Sequence, residues 1–461
     1  MKFHFRINEL SRLIKNPMGI LLIAGLVFRI LLYIIYQPAN HLDEVKSADA
    51  LQYHISAKQL VNQGKFLVPD SEVDVFRTPG YPIFIYCIYK IWGIKPYIVL
   101  FMQIFINLAS VYVLYSIVRI LFNNKVGIIS ALLFNFEPDH LYYTFSLLTE
   151  TPFVFIILSA SLSLVYYLKR DKLVYLIVTS LLTGIATLIR PIAVYFPLIL
   201  VLIIGFYQIH YKKSGFSKTI KRIVTLIFTY VLTISPWLIR NFSLYGYPGL
   251  TSLSGQRLLY YDVAYTIKRT EKRSIDKIRG ELDSLVTSRS DQTRLGNPFY
   301  KSKVKKEVAL DYLKQHKFDY FKTQLLGMIN IYSSMEYKAI VQRFLRKQVI
   351  PINTEYKSYD KFSVDLGRFK SLPPYLIIVG FFYTILLIFY YATALGGLIL
   401  LIKDKEYFLT FSIMGVILYF TILTGVVGVA RFRLPISPFY IIFSGYFFFS
   451  QCFGNKVRIQ L

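Results

Sequence analysis

The 461 residues are 55% hydrophobic and 17% aromatic and carry a formal net charge of +27, a composition that excludes a soluble globular protein and indicates many membrane crossings. The positive charge lies in loops between apolar segments, where lipid headgroups and phosphates are the nearer partners, so no nucleic-acid partner is expected. The only cysteines, Cys87 and Cys452, fall at opposite faces of the expected topology, which argues against a disulfide and reads both as apolar fillers.

In chain order, "MKFHFRINELSRLIKNP" opens an N-terminal stretch, 1–18, and the apolar run after it lacks a small-residue cleavage site, so it reads as a retained helix. Runs near the roughly 20 residues that span a bilayer fall at 19–36, 97–121, 126–144, 151–168, 173–190, 192–209, 221–240, 375–402, 406–428 and 434–453. Ten crossings and an all-α polytopic fold follow. Lys125, "KRDK" (169–172), "YKKSGFSKTIKR" (211–222), "KDKE" (403–406) and both termini are basic and fall together on the cytoplasmic side.

"GYPIFIYCIYKIWG" (80–93) is apolar but short and opens with Gly and Pro, so it is expected to lie in the outer interface as an amphipathic helix. Residues 37–96 then form one outer loop within a transmembrane module spanning 19–240. Residues 241–372 form a long basic outer segment with helical stretches such as "KVKKEVALDYLKQH" and little sign of an independent core, and 373–461 hold the C-terminal crossings and a cytoplasmic tail. Long loops are largely exempt from the charge rule, so the basic outer segment is compatible with this orientation.

The topology gathers charges at the outer face. Ser47 is a plausible N-cap that puts Asp49 in a first helical turn, where the helix dipole favours its ionised form, with Tyr53 and Ala57 on the same face of "DALQYHISAKQL". Asp49 is either an acid that steadies its helix or a general base at the membrane surface. Glu150 in "LLTETP" sits at the outer end of a crossing, costly unless solvated, paired or functional. Arg190 in "TLIRPIAVYFP", Arg431 and Arg433 in "GVARFRLPISP", and Arg240 in "SPWLIRN" emerge on the same side. Any one of them could be an interface anchor, and for Arg240 that is the preferred reading. Together, one ionised base and several guanidinium clamps suit transfer from a phosphate-linked, lipid-borne donor.

"DALQYHISAKQL" followed by "FRTPGYPIFIYCIYKIWG", then "FNFEPDHLYYTFSLLTETPF", "GIATLIRPIAVYFP", "SPWLIRN" and "RFRLPISPF" resemble the GT-C superfamily of polyprenyl-phosphate-dependent glycosyltransferases, in the bacterial branch related to protein O-mannosyltransferases and lipid A aminoarabinose transferases. The likeness covers 19–240 well and 375–453 loosely. It implies a GT-C-type helical fold in the cytoplasmic membrane with its site facing outward, an undecaprenyl-phosphate sugar or similar donor, and inversion at the anomeric carbon. Asp49 matches the first-loop catalytic aspartate and Glu150 the second acidic position. Arg77 stands where some relatives carry a metal- or phosphate-contacting Glu-Lys pair; with no acid there, no metal is assigned and Arg77 joins Arg190, Arg431 and Arg433 as donor-phosphate ligands. Tyr53, His54 and Tyr81 complete the set as substrate-binding candidates. His54, and His140 beside Glu137 and Asp139, could hold a divalent metal or be solvated interface histidines; the latter is preferred. The acceptor, whether lipid, polysaccharide or protein, is not legible.

The rival readings are a transporter or lipid-linked glycan flippase, which would keep its polar residues near the bilayer midplane, and an O-antigen polymerase or ligase. An aspartate-led first loop speaks against the polymerase.

Overall fold

The computed structural model describes residues 16–39, 47–66, 75–345 and 373–453, and no strand occurs among them. Most of the N-terminal stretch, the C-terminal tail and parts of both outer segments lie outside the described residues. α1 (Pro17–Tyr36) starts at Asn16, whose side chain accepts from the Met18 N–H, with Pro17 in the first turn where its missing N–H costs nothing. α2 (Ala48–Gln63) and α3 (Gly80–Trp92) come from the first loop. α4 (Pro96–Leu121), α5 (Asn124–Asn135), α6 (Pro138–Thr144), α7 (Glu150–Arg170) and α8 (Leu173–Ile189) build the centre of the bundle. A 3-10 turn, Pro191–Tyr195, enters α9 (Phe196–Phe206), and α10 (Phe216–Tyr245) follows. The long connecting segment holds α11 (Leu253–Arg257), α12 (Ala264–Glu271), α13 (Ile275–Arg289), α14 (Pro298–Gln315), α15 (Lys317–Ser333) and α16 (Tyr337–Leu345). The chain returns through α17 (Pro374–Lys403), α18 (Tyr407–Thr424) and α19 (Ser437–Phe453).

Among the described residues, seven helices are long and apolar enough to cross a membrane: α1, α4, α7, Pro191–Tyr211, α10, α17 and Tyr407–Val427. The other three expected crossings are shorter. α8 and α19 have 17 residues each. The run 126–144 is not one helix, because Glu137 leaves helical geometry and its Oε2 accepts the His140 N–H at 2.7 Å, starting α6 afresh. Pro138 enforces the break, since it has no N–H to continue the ladder and disfavours a helical residue before it.

Within the bundle, Arg29 of α1 is fully enclosed and has no carboxylate partner among the described residues. Its Nε donates to Asn107 Oδ1 at 2.9 Å, and its Nη1 donates to Asn135 Oδ1 at 2.9 Å and to the Gly25 carbonyl at 3.0 Å. These bonds spread one charge over three helices and tie α1 to α4 and α5.

The connecting segment corrects the sequence expectation, for it has its own core. Leu259, Val263, Ile267, Ile278, Leu282, Val286, Val304 and Val308 pack together. These residues recur at helical spacing within α12 to α14 and the turn before them, a periodicity that the dense surface lysines obscure.

Candidate functional site

The turn that carries Arg77 is built by "RTPGYP". Thr78 Oγ1 donates to the Ile189 carbonyl at 3.2 Å. A Cβ on Gly80 would fall 2.8 Å from the Leu188 carbonyl oxygen, so only glycine lets α3 start this close to the end of α8. The motif thereby fixes the turn that carries Arg77 against the end of α8, which Arg190 caps before Pro191. Ser47 caps α2 as expected, its Oγ accepting the Ala50 N–H at 3.4 Å, and Asp49 stands in the first turn. Glu150 opens α7. Arg431 lies on the 3-10 turn Ala430–Arg433 between α18 and α19.

These five side chains form one continuous ion-pair network. Arg77 Nη2 donates to Asp49 Oδ1. Arg431 Nη1 donates to Asp49 Oδ2 at 2.6 Å, while its Nε donates to Glu150 Oε1. Arg190 Nη1 donates to that same Glu150 oxygen at 2.7 Å. Three guanidinium groups face two carboxylates, leaving one positive charge in excess. The Asp49 side chain is 33% exposed and that of Glu150 only 1%, so the network runs from an open end at Asp49 to a closed one at Glu150. Glu150 Oε2 is buried and has no hydrogen-bond partner, a state that an acceptor oxygen rarely keeps without purpose.

Burial alone would raise the Asp49 carboxyl; Arg431 and Arg77 outweigh it and bring the pKa down to about 2. Both oxygens of Asp49 and one oxygen of Glu150 are taken by guanidinium donors, and among the described residues no three His, Cys, Asp or Glu side chains converge to hold a metal.

The remaining candidates divide. Tyr53 packs edge-on to Tyr81 at 5.0 Å between centroids, and the Arg77 guanidinium lies 5.1 Å from the Tyr53 ring, so both rings wall the network. The Tyr81 hydroxyl itself is committed to Gln103 Oε1 at 2.9 Å. His54 points away, its Nδ1 2.8 Å from the Tyr89 hydroxyl. Arg433 does not join: it is buried, pairs with Asp139, and donates through Nη1 to the carbonyls of Ile331 (2.9 Å) and Ser334 (3.0 Å). Two residues along a 3-10 turn point in different directions, which separates Arg433 from Arg431. His140 is buried against Ser437 Oγ at 2.7 Å rather than solvated. Arg240 stacks on Trp237 at 4.5 Å, in keeping with an anchor. Cys87 and Cys452 are free and exposed rather than fillers.

Two contributors were missed. Gln52 Oε1 accepts from Arg77 Nε at 2.8 Å; its place three residues after Asp49 on one helical face was the available signal. Asp139 holds Arg433, and nothing in the local sequence pairs two residues so far apart.

By fold the chain is a GT-C-type polytopic membrane protein: the archaeal oligosaccharyltransferase AglB from Archaeoglobus fulgidus, solved with an inhibitory peptide and a dolichol-phosphate, superposes on 93% of this chain and 50% of its own at a TM-score of 0.50 and 12% identity. Residues 77–239, which include Arg77, Glu150 and Arg190, match the family model described as dolichyl-phosphate-mannose-protein mannosyltransferase. The segment match covers a minor part of the chain, and the fold is like that of GT-C membrane enzymes. It spans about half the length of the archaeal protein. ArnT from Cupriavidus metallidurans bound to undecaprenyl phosphate is a more distant likeness, at a TM-score of 0.40 and 11% identity over 93% of this chain and 77% of that one. No curated protein sequence matches.

Proposed function

We propose that the protein is an inverting glycosyltransferase of the cytoplasmic membrane, moving a sugar from a polyprenyl-phosphate donor to an acceptor at the outer face, with both termini cytoplasmic. The observation that carries this reading is Arg431 bonded to Asp49 and Glu150 at once. A site with one positive charge in excess complements the single negative charge of a phosphodiester-linked sugar. The description of the matched family and the dolichol-phosphate bound to the archaeal protein of like fold support the same donor class.

In this reading Arg77, Arg190 and Arg431 hold the donor phosphate. Asp49 takes the proton of the acceptor hydroxyl or amine as that atom bonds to the anomeric carbon from the opposite side, the carbon–oxygen bond to phosphate breaks, and the arginines stabilise the released polyprenyl phosphate. A carboxylate clamped by two guanidiniums is a weak base. Donor phosphate competes for Arg77 and Arg431, and each bond it takes returns basicity to Asp49, so the base is activated only when the donor is in place. Glu150, at the closed end, orients Asp49 through the Arg431 that both carboxylates share. Tyr53 and Tyr81 act as walls.

The test is transfer of labelled sugar from a panel of polyprenyl-phosphate sugars in membranes carrying the natural chain or Asp49→Asn, with and without chelator. Asp49-dependent transfer that survives chelation is the expected result. No transfer by the natural chain from any donor in the panel would overturn the reading.

A further inference from the structure

α15 buries one face and leaves the opposite face apolar and bare. Thr323, Gly327 and Ile331 pack inward, whereas Phe318 (91% exposed), Phe321 (61%), Leu325 and Ile329 point outward. At 100° per residue these four fall within one narrow stripe. In water such a stripe is unfavourable, and inside a protein it would need a partner.

The attachment of α15 shows where the stripe lies. Gln324 Nε2 donates to the Ile422 carbonyl at 2.8 Å, and the Tyr332 hydroxyl lies 2.7 Å from Thr421 Oγ1. The two residues are eight apart on α15, about 12 Å along its axis, yet they meet adjacent residues in the last turn of α18. A helix running alongside α18 would instead meet it at successive turns. α15 therefore lies across the end of a membrane-spanning helix, at the depth of its final turn and on the side of the Asp49–Arg431 network. Gly327 fits against Gly425 so closely that a Cβ there would collide with the Gly425 carbonyl oxygen.

The exposed stripe of α15 also continues an apolar one. On α18, Tyr407, Phe411, Leu418 and Ile422 are exposed along a single face, and a span that is apolar on its bare side faces lipid. Ile422 ends that face at the residue whose carbonyl receives Gln324. Exposed Lys314, Lys317 and Lys322 border the start of α15, the distribution of an interfacial helix that meets anionic headgroups above its apolar face.

We propose that α15 is a membrane-interface helix, its Phe318–Ile329 stripe inserted in the leaflet on the side of the candidate site and its lysines among anionic headgroups. The basic helical unit α11–α14 is thereby seated on the bilayer beside the site, where a lipid-borne substrate would arrive.

The experiment uses the full chain in nanodiscs, with Cys87→Ser and Cys452→Ser and a single nitroxide label on Phe321→Cys or Leu325→Cys. Leu310→Cys on α14 is the aqueous control and Phe411→Cys on α18 the lipid control; all four native side chains are exposed. Labels at 321 and 325 are expected to collide with oxygen more than with a water-soluble nickel chelate, as at 411, with the reverse at 310. Adding phosphatidylglycerol to phosphatidylcholine discs is expected to move both labels deeper. Nickel accessibility at 321 and 325 equal to that at 310 would overturn the proposal, as would shielding from both reagents, which would point to a protein partner. A depth unaffected by phosphatidylglycerol would refute the role of the lysines.

Discussion

Arg431 spends one guanidinium on two acids, Nη1 on Asp49 at 2.6 Å and Nε on Glu150, and so links the first loop, α7 and the turn before α19 in a single contact. The planar fork of arginine fixes both bonds in one geometry; a lysine would place its charge there without that fork. Arg431→Lys should therefore raise the donor KM by roughly 10- to 100-fold, the equivalent of losing one charge-assisted hydrogen bond. An unchanged donor KM in steady-state transfer assays would refute the clamp.

Asp49→Asn keeps the shape and removes the base. Transfer should fall by roughly 10²–10⁴, while gel-filtration behaviour and helical content stay as in the natural chain. Substantial activity in the variant would show that another group takes the proton.

The Asp49 carboxyl is depressed to about 2, against about 3.9 for a free aspartate. A depressed carboxyl stabilises the fold above the free value, and that contribution is lost as pH falls through the folded value. The difference in Tm between the natural chain and Asp49→Asn should hold from neutral pH to about 4 and vanish near pH 2. In kinetics, the acid limb of kcat should lie at higher pH than that of kcat/KM, because kcat reports the donor complex, in which phosphate has drawn the arginines away from Asp49. Coincident limbs would rule out activation by the donor.

Gly327→Val should force α15 away from the Gly425–Val429 turn and displace Arg431 and Arg433 with it, lowering Tm and weakening donor binding together. Gly280, on α13 with open space around it, is the control position; Gly280→Val should change neither beyond its small helix-propensity effect.

Arg29→Met removes a buried charge but leaves Asn107 and Asn135 facing apolar surroundings. Each unsatisfied group costs roughly 1–3 kcal/mol, so Tm should fall clearly in detergent, with donor KM preserved in the protein that remains folded. Adding Asn107→Leu should recover part of the loss.

Much was legible in the sequence because it depends on local or one-dimensional information. Long apolar runs identify spans whatever packs around them, and Ser47 before Asp49 announces its helix start through the capping requirement alone. The ordered appearance of Asp49, Arg77, Glu150, Arg190 and Arg431 at loop ends was enough to nominate five residues that the fold joins in one network.

Tertiary structure decided the rest. Arg431 and Arg433 are indistinguishable by composition and position, yet one bridges Asp49 and Glu150 while the other is buried against Asp139, because a 3-10 turn aims neighbouring side chains apart and the packing of α15 takes the second. The 126–144 run read as a single span because apolar length is blind to where Glu137 finds an N–H to accept. Whether an apolar face is core or bare, as on α15, depends on what the rest of the chain brings against it, and that is a property of the assembled bundle rather than of any segment.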